Sequence, residues 1–217
     1  MRNIAIIPAR GGSKRIPHKN VKLFMGKPII AYSIETALST HLFDEVMVST
    51  DDLEIAEVAR QYGASVPFLR TEETANDYAT LADVIREVLD NMCCILATSP
   101  LLLNEDIVVG YERLIHSDFS SIVPVVQFSY PILRSYGMNS EGEIYFNWPE
   151  YAKTRSQDLE SAYHDSGTFY WHKIDRWLSG DIKRGGIVVD EDRVQDSDTE
   201  QDWRMAEFKY KMLYVRG

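Results

Sequence analysis

Residues 6–20 read IIPARGGSKRIPHKN, and they carry most of the argument about fold. The apolar run IAIIP (4–8) has the length and composition of a buried strand. It passes directly into Gly11 and Gly12, set among Arg10, Lys14, Arg15, His18 and Lys19 with no acidic residue between them. Two glycines let a backbone approach a ligand and turn N–H groups toward an anion, while Lys and Arg heads supply the opposite charge. The stretch is not a Walker A loop, because Ser13 precedes Lys14 and no glycine stands five residues earlier; nor does it contain G-x-G-x-x-G. Taken alone it leaves a phosphate-binding loop and a solvated basic turn both open.

Beyond that stretch the pattern repeats. VMVST (46–50), CCILAT (93–98) and SIVPVV (121–126) read as further buried strands. PIIAYSIETALS (28–39), DLEIAEVARQYG (52–63), LADVIREVLDNM (81–92) and EDIVVGYERLI (105–115) read as amphipathic helices. This alternation predicts βαβ units, and so an α/β fold in three layers with helices on both faces of a mostly parallel sheet. Ligands of such sheets bind beyond the carboxyl ends of the strands, which is where the glycine loop falls. Between residues 130 and 150, YPILRSYGMNSEGEIYFNW carries turn-forming Asn139, Ser140 and Gly142 between two extended runs. It predicts a hairpin that leaves the sheet and reaches a partner subunit. GTFYWH and GGIVVD are expected strands, KIDRWL a short helix, and TEQDWRMAEFKYKML (199–213) a final helix.

Composition narrows the function. The 217 residues carry a formal charge of −10, yet residues 1–34 hold seven Lys/Arg and no acid, leaving 16 basic against 33 acidic residues elsewhere. A local positive field on an acidic chain suits a small polyanion rather than a nucleic acid, which needs a broad basic face. No linker composition is visible, so residues 1–217 are expected to form one domain with the excursion at about 130–150. No stretch has signal-peptide or membrane-span character, which predicts a cytoplasmic protein without membrane contact. Cys93 and Cys94, adjacent in an apolar run, read as buried strand residues. His18, His41, His116 and His172 have no companion at metal-ligand spacing. The aromatics of 148–171 read chiefly as packing.

The whole string PARGGSKRIPHKN resembles the signature of the CMP-sialic acid synthetase family of sugar-activating cytidylyltransferases. The likeness continues through DEVMVSTDDLEIAEVARQYGASVPFLR (44–70), TEETANDYATLADVI (71–85), TSPL (98–101), TRSQDLESAYHDSGTFYW (154–171) and QDSDTEQDW (195–203). NWPEYAKTRSQDL and the segments after it look most like the branch that activates pseudaminic acid. The resemblance implies a Rossmann-like nucleotide-diphospho-sugar transferase fold, with CTP and an acidic nine-carbon sugar as substrates; the aromatic-rich run YFNWPEY, hard for a monomer to cover, predicts a homodimer built partly by the hairpin. The resemblance also implies a nucleotide site made of Ala9, Arg10, Gly11, Ser13, Lys14, Lys19 and Asn20, with Arg70, Asn76, Asp77 and Ala79 facing the cytidine. Arg10 and Lys14 would offset charge building on the departing phosphates. The neuraminate enzymes have Gln-Pro-Thr-Ser-Pro where this chain has residues 96–100, and Arg-Pro-Asn-Gly where it has His164-Asp165-Ser166-Gly167. Those departures argue for a different nonulosonate, because a pocket built for other hydrogen bonds rejects the wrong polyol.

Asp196 and Asp198 are two apart, and on an extended segment i and i+2 point to one side. Such a pair can hold Mg²⁺ beside a triphosphate; it can equally be an acidic helix start, with Asp198 or Thr199 as cap. The family resemblance favours the metal. Asp51 and Asp52 are adjacent, point apart and read as structural. For the sugar's carboxylate, the planar fork of Arg155 and the neighbouring Gln157 sit where the resembling enzymes hold their sugar, with Arg134 as a second candidate. The rivals are a cytidylyltransferase for legionaminate, N-acetylneuraminate or KDO, and a nucleotide-sensing module without turnover. The retained pair Asp196 and Asp198 argues against the sensor.

Overall fold

The computed structural model describes residues 2–13, 15–70 and 90–215. In chain order its strands are β1 (Asn3–Pro8), β2 (Leu23–Phe24), β3 (Lys27–Pro28), β4 (Glu45–Ser49), β5 (Asn91–Ile95), β6 (Ser121–Gln127), β7 (Tyr136–Met138), β8 (Ile144–Phe146), β9 (Tyr163–Asp165), β10 (Phe169–Lys173) and β11 (Arg184–Val188). The described helices are α1 (Ile29–Ser39), α2 (Leu53–Gln61), α3 (Asn104–Ile115), α4 (Ile174–Ser179) and α5 (Glu200–Tyr214). Of the expected helix at 81–92, residues 81–89 lie outside the described residues, and Asn91 and Met92 belong to β5 instead, paired with Asn3 and Ile4 of β1.

The central sheet runs β11-β6-β10-β5-β1-β4, with β9 also on β6. The pairs β1–β4, β1–β5 and β6–β11 are parallel; β10 is antiparallel to both β5 and β6. Alternation along each strand divides the core. Ala5, Ile7, Val46, Val48, Cys93 and Ile95 face one side, under Ile30 and Ile34 of α1, Ala56 of α2 and Ile107 of α3. Ile4, Ile6, Met47 and Met92 face the other, against Ile174 and Trp177 of α4. Burial on both faces is why these strands read as continuous apolar runs rather than as alternating ones. Both cysteines are buried, and neither is in a disulfide.

One irregularity shapes the site. β10 pairs with the start of β6 (Trp171 with Ile122), and β9 with its end (Val125 with Asp165), leaving residues 166–168 as a bulge between the two ladders. The bulge faces Pro124, whose carbonyl accepts from Ser166 N–H at 3.0 Å but which has no N–H to return. Gly167 takes the bend at φ +63°, a left-handed conformation that side chains with a Cβ adopt only with strain.

A separate cluster ties the glycine loop to the far end of the chain. Ile16, from within the loop, is buried with Phe24, Tyr32, and Trp203 and Ala206 of α5. Lys22 lies over the Trp203 ring at 4.5 Å and pairs with Glu200 at 2.7 Å. The hairpin β7–β8 forms its own two-stranded sheet, its turn closed by Asn139 Oδ1, which accepts from the N–H groups of Glu141 and Glu143. No helix among the described residues is long and apolar enough to cross a membrane.

Candidate active site

β1 ends at Pro8, and Ala9 carries its ladder one step further, donating its N–H to Ser49 O at 2.9 Å. The chain then leaves the sheet. Gly11 passes so close to Asp52 that a Cβ would stand 2.4 Å from its carboxylate, so only glycine fits there. Asp52 is held in place because it caps α2, accepting from Glu54 and Ile55 N–H at 2.8 and 3.1 Å. Asp51 accepts the Gly11 N–H at 2.9 Å and lies 4.0 Å from Arg70 Nη2. The adjacent carboxylates are thus structural, and they moor the loop. Asn20, buried at the loop's other end, closes it by donating Nδ2–H to Arg10 O at 2.9 Å.

The loop walls a cavity of about 350 Å³ at the carboxyl end of β1. Arg10, Ser13, Arg15, Lys19 and Asn20 line one side, Leu96 to Thr98 the other, and Asp198 reaches in from the segment before α5. A second cavity, of about 500 Å³, shares Leu96 and Thr98 with the first. Ser166 and Gly167 of the bulge, with His164 and Asp165, wall it on one side; Asp196, Gln195 and Lys209 wall it on another.

The expected carboxylate pair therefore straddles a boundary: Asp198 faces the basic cavity and Asp196 the second one, with buried Ser197 between them. Asp198 accepts from Lys19 Nζ at 3.1 Å and from Arg15. The Lys19 hydrogen bond, aided by the charges of Lys19 and Arg15, holds its carboxyl below the usual carboxylate range, so it stays ionised. Thr199, not Asp198, caps α5: its hydroxyl accepts from Asp202 N–H at 3.2 Å, and the Asp202 carboxylate accepts from Thr199 N–H at 2.9 Å. Two hard carboxylate oxygens beside a cationic cavity are the donor type a divalent ion takes, with phosphate oxygens and water completing the shell. Among the described residues no group of three or more His, Cys, Asp or Glu gathers for a metal.

Of the residues nominated from sequence, Arg10, Ser13, Lys19, Asn20 and Asp198 meet in the first cavity, and Asp196 lies in the second. Ala9 and Gly11 stand behind the loop as its backbone supports, and Arg70 stands beside Asp51. Lys14, Asn76, Asp77 and Ala79 lie outside the described residues. Arg155, Gln157 and Arg134 do not join either cavity wall. Arg155 is exposed and forms a two-point pair with Asp158, at 2.8 and 3.3 Å, while Arg134 reaches Ser156 at 3.4 Å. Arg15 and Lys209 are the cations that reading by motif passed over. Arg15 sits inside the glycine loop's own basic stretch, where its charge is the signal; Lys209 stands in a helical run with nothing local to mark it.

Residues 4–179 match the family described as "Cytidylyltransferase", and the chain belongs to that family. It is 41% identical, over 98% of its length and 97% of the relative's, to a pseudaminic acid cytidylyltransferase of Campylobacter jejuni. It is 34% identical to N-acylneuraminate cytidylyltransferase B of Danio rerio, over 94% of this chain and 50% of that one. Among solved structures, a CMP-2-keto-3-deoxy-manno-octonic acid synthetase complexed with CTP superposes with a TM-score of 0.71 over 98% of each chain, at 18% identity. That likeness establishes the α/β nucleotide-binding fold.

Proposed function

We propose that this enzyme transfers the cytidylyl group of CTP to pseudaminic acid, forming the CMP-sugar and pyrophosphate. The observation that carries the reading is a cavity lined by Arg10, Arg15 and Lys19 that shares Leu96 and Thr98 with a larger one, Asp198 lining the first and Asp196 the second. A triphosphate suits the first cavity and a nine-carbon sugar the second, which brings the anomeric hydroxyl to the α-phosphorus at their junction. The identity of 41% to the Campylobacter jejuni enzyme favours pseudaminic acid over legionaminate, N-acetylneuraminate or KDO.

The chain's own work is positioning and charge neutralisation. Arg10, Lys19, Arg15 and, from the sequence pattern, Lys14 offset negative charge on the β- and γ-phosphates as pyrophosphate departs. Arg70, Asn76, Asp77 and Ala79 are assigned to the cytidine. Asp196 and Asp198 would hold a divalent ion, in our reading Mg²⁺, which when bound draws charge from the phosphate oxygens. Asp198 is offered to it already ionised. The supply of CTP places the reaction in the cytoplasm.

We further propose a homodimer. Tyr136, Met138, Ile144 and Tyr145 of the hairpin are all exposed, a density of apolar side chains that suits a partner rather than water. Arg134 on that excursion, and Arg155 and Gln157 just after it, would then touch sugar only from a second copy. The decisive assay is pyrophosphate release with CTP, Mg²⁺ and a panel of acidic sugars. Release with pseudaminic acid alone, or far faster than with the rest, is expected; release with none supports a nucleotide sensor, and preference for another acid reassigns the sugar.

A further inference from the structure

The second cavity poses an electrostatic problem for an acidic sugar. Its wall carries Asp165, Asp196 and Glu191, which any entering carboxylate must avoid. Asp165 accepts from Gly167 N–H at 2.7 Å and from the Tyr170 hydroxyl at 3.0 Å, and Glu191 accepts from the Ser129 hydroxyl at 2.6 Å. His164 donates Nδ1–H to Asp165 O at 2.9 Å, which leaves its other ring nitrogen an acceptor in the neutral ring. Lys209 of α5 is the only Lys or Arg lining this cavity among the described residues.

Its ammonium is held in place. Nζ donates to Val194 O at 2.7 Å and to Glu191 O at 3.0 Å. An ammonium has three N–H groups, so one remains, and it has no protein partner among the described residues. A lysine normally loses much rotamer freedom when it grips a ligand; here two backbone carbonyls have already imposed that loss. Because those partners are neutral, the full positive charge stays available to an anion.

We propose that Lys209 is the residue that binds the carboxylate of the sugar substrate, and so selects acidic sugars over neutral ones. This rests on the acidic-sugar activity proposed above. It also sets the sugar's orientation: the carboxylate at the α5 side of the cavity puts the adjacent anomeric carbon toward the boundary with the phosphate cavity, near Asp196.

The test compares the acid with its carboxamide. KM for CTP and for pseudaminic acid, and for the same sugar bearing a C1 carboxamide, is measured with wild-type enzyme, Lys209→Met and Lys209→Arg, alongside melting temperatures. Lys209→Met is expected to raise the KM for the acid about ten- to a hundredfold, the range of a hydrogen bond between charged groups, with the CTP KM within about twofold. Wild type should prefer acid to amide, Lys209→Met should treat the two alike, and Lys209→Arg should restore much of the preference. Equal losses for acid and amide in Lys209→Met, with a lowered melting temperature, overturn the proposal and leave Lys209 as a tie between α5 and residues 191–194. If Lys209→Met does not fold, the wild-type comparison decides, because indifference to the carboxylate also overturns it. Wild-type enzyme that turns over no acidic sugar instead sinks the functional reading beneath it.

Discussion

Lys19 and Asp198 lie 179 residues apart in sequence and 3.1 Å apart in space, and the chemistry of the first cavity turns on them. In the proposed reaction Lys19, largely buried, exchanges Asp198 for phosphate when the nucleotide enters. Lys19→Ala is therefore expected to lower turnover by about two to three orders of magnitude, the usual loss when a preorganised charge partner is removed, while the melting temperature changes little. Steady-state kinetics with CTP checks it, and near-normal turnover would remove Lys19 from the site. A second residue-scale expectation concerns His172. Burial, reinforced by the Arg184 charge, pushes its pKa down from 6.5 to about 4, and its Nδ1 has no partner among the described residues. Between those values the unfolded chain binds a proton that the folded one refuses, so stability is intact above pH 6.5 and falls as pH drops toward 4, by up to about 1.4 kcal/mol per unit. Chemical denaturation of wild type and His172→Gln across pH 4 to 7 should show a shallower slope in the variant. Parallel slopes would mean that the ring takes up its proton normally in the fold.

At the scale of elements, the start of α5 separates two roles that coincide in sequence. Thr199 and Asp202 form the reciprocal cap, and Asp198 faces the cavity. Thr199→Ala should cost about 1 kcal/mol of stability with kcat nearly unchanged, whereas Asp198→Asn should abolish metal-dependent turnover with stability nearly intact. Thermal melts paired with kinetics distinguish them; the reverse pattern would make Asp198 the structural residue. The loop has an anchor of the same kind. Ile16 is 1% exposed and packs on Trp203, so Ile16→Ala should destabilise by about 2–5 kcal/mol and raise the KM for CTP, since the basic arm loses its footing on α5. A destabilised variant that keeps the wild-type CTP KM would show that the loop holds its shape without that contact.

For the whole molecule the expectation is a dimer at micromolar concentration, measured as mass by light scattering. Replacing Met138 and Ile144 together by charged residues, which the exposed hairpin surface tolerates in a monomer, should shift the mass to half. A wild-type monomer contradicts the proposed assembly.

The layered architecture was legible in the chain. Short β-branched runs between amphipathic segments impose a two-faced buried sheet, and a loop of glycines and cations after the first strand marks the place proposed for an anion. So were Arg10, Ser13, Lys19 and Asn20 of the first cavity, because they are neighbours in one motif and the backbone alone brings them together. Period-2 and period-3.6 patterns describe how one segment presents its faces, and carry no term for which distant segment it meets. Hence three features were decided only by tertiary packing. The antiparallel insertion of β10 and the bulge opposite Pro124 depend on which strand lies alongside. The separation of Asp196 from Asp198 depends on two cavity walls crossing between them. Lys209 gains its place because α5 packs on the loop through Trp203 and beside residues 191–194, where two carbonyls catch its ammonium. Local sequence determines what a segment can become, while long-range burial determines what it stands beside, and the wall of the second cavity belongs to the latter.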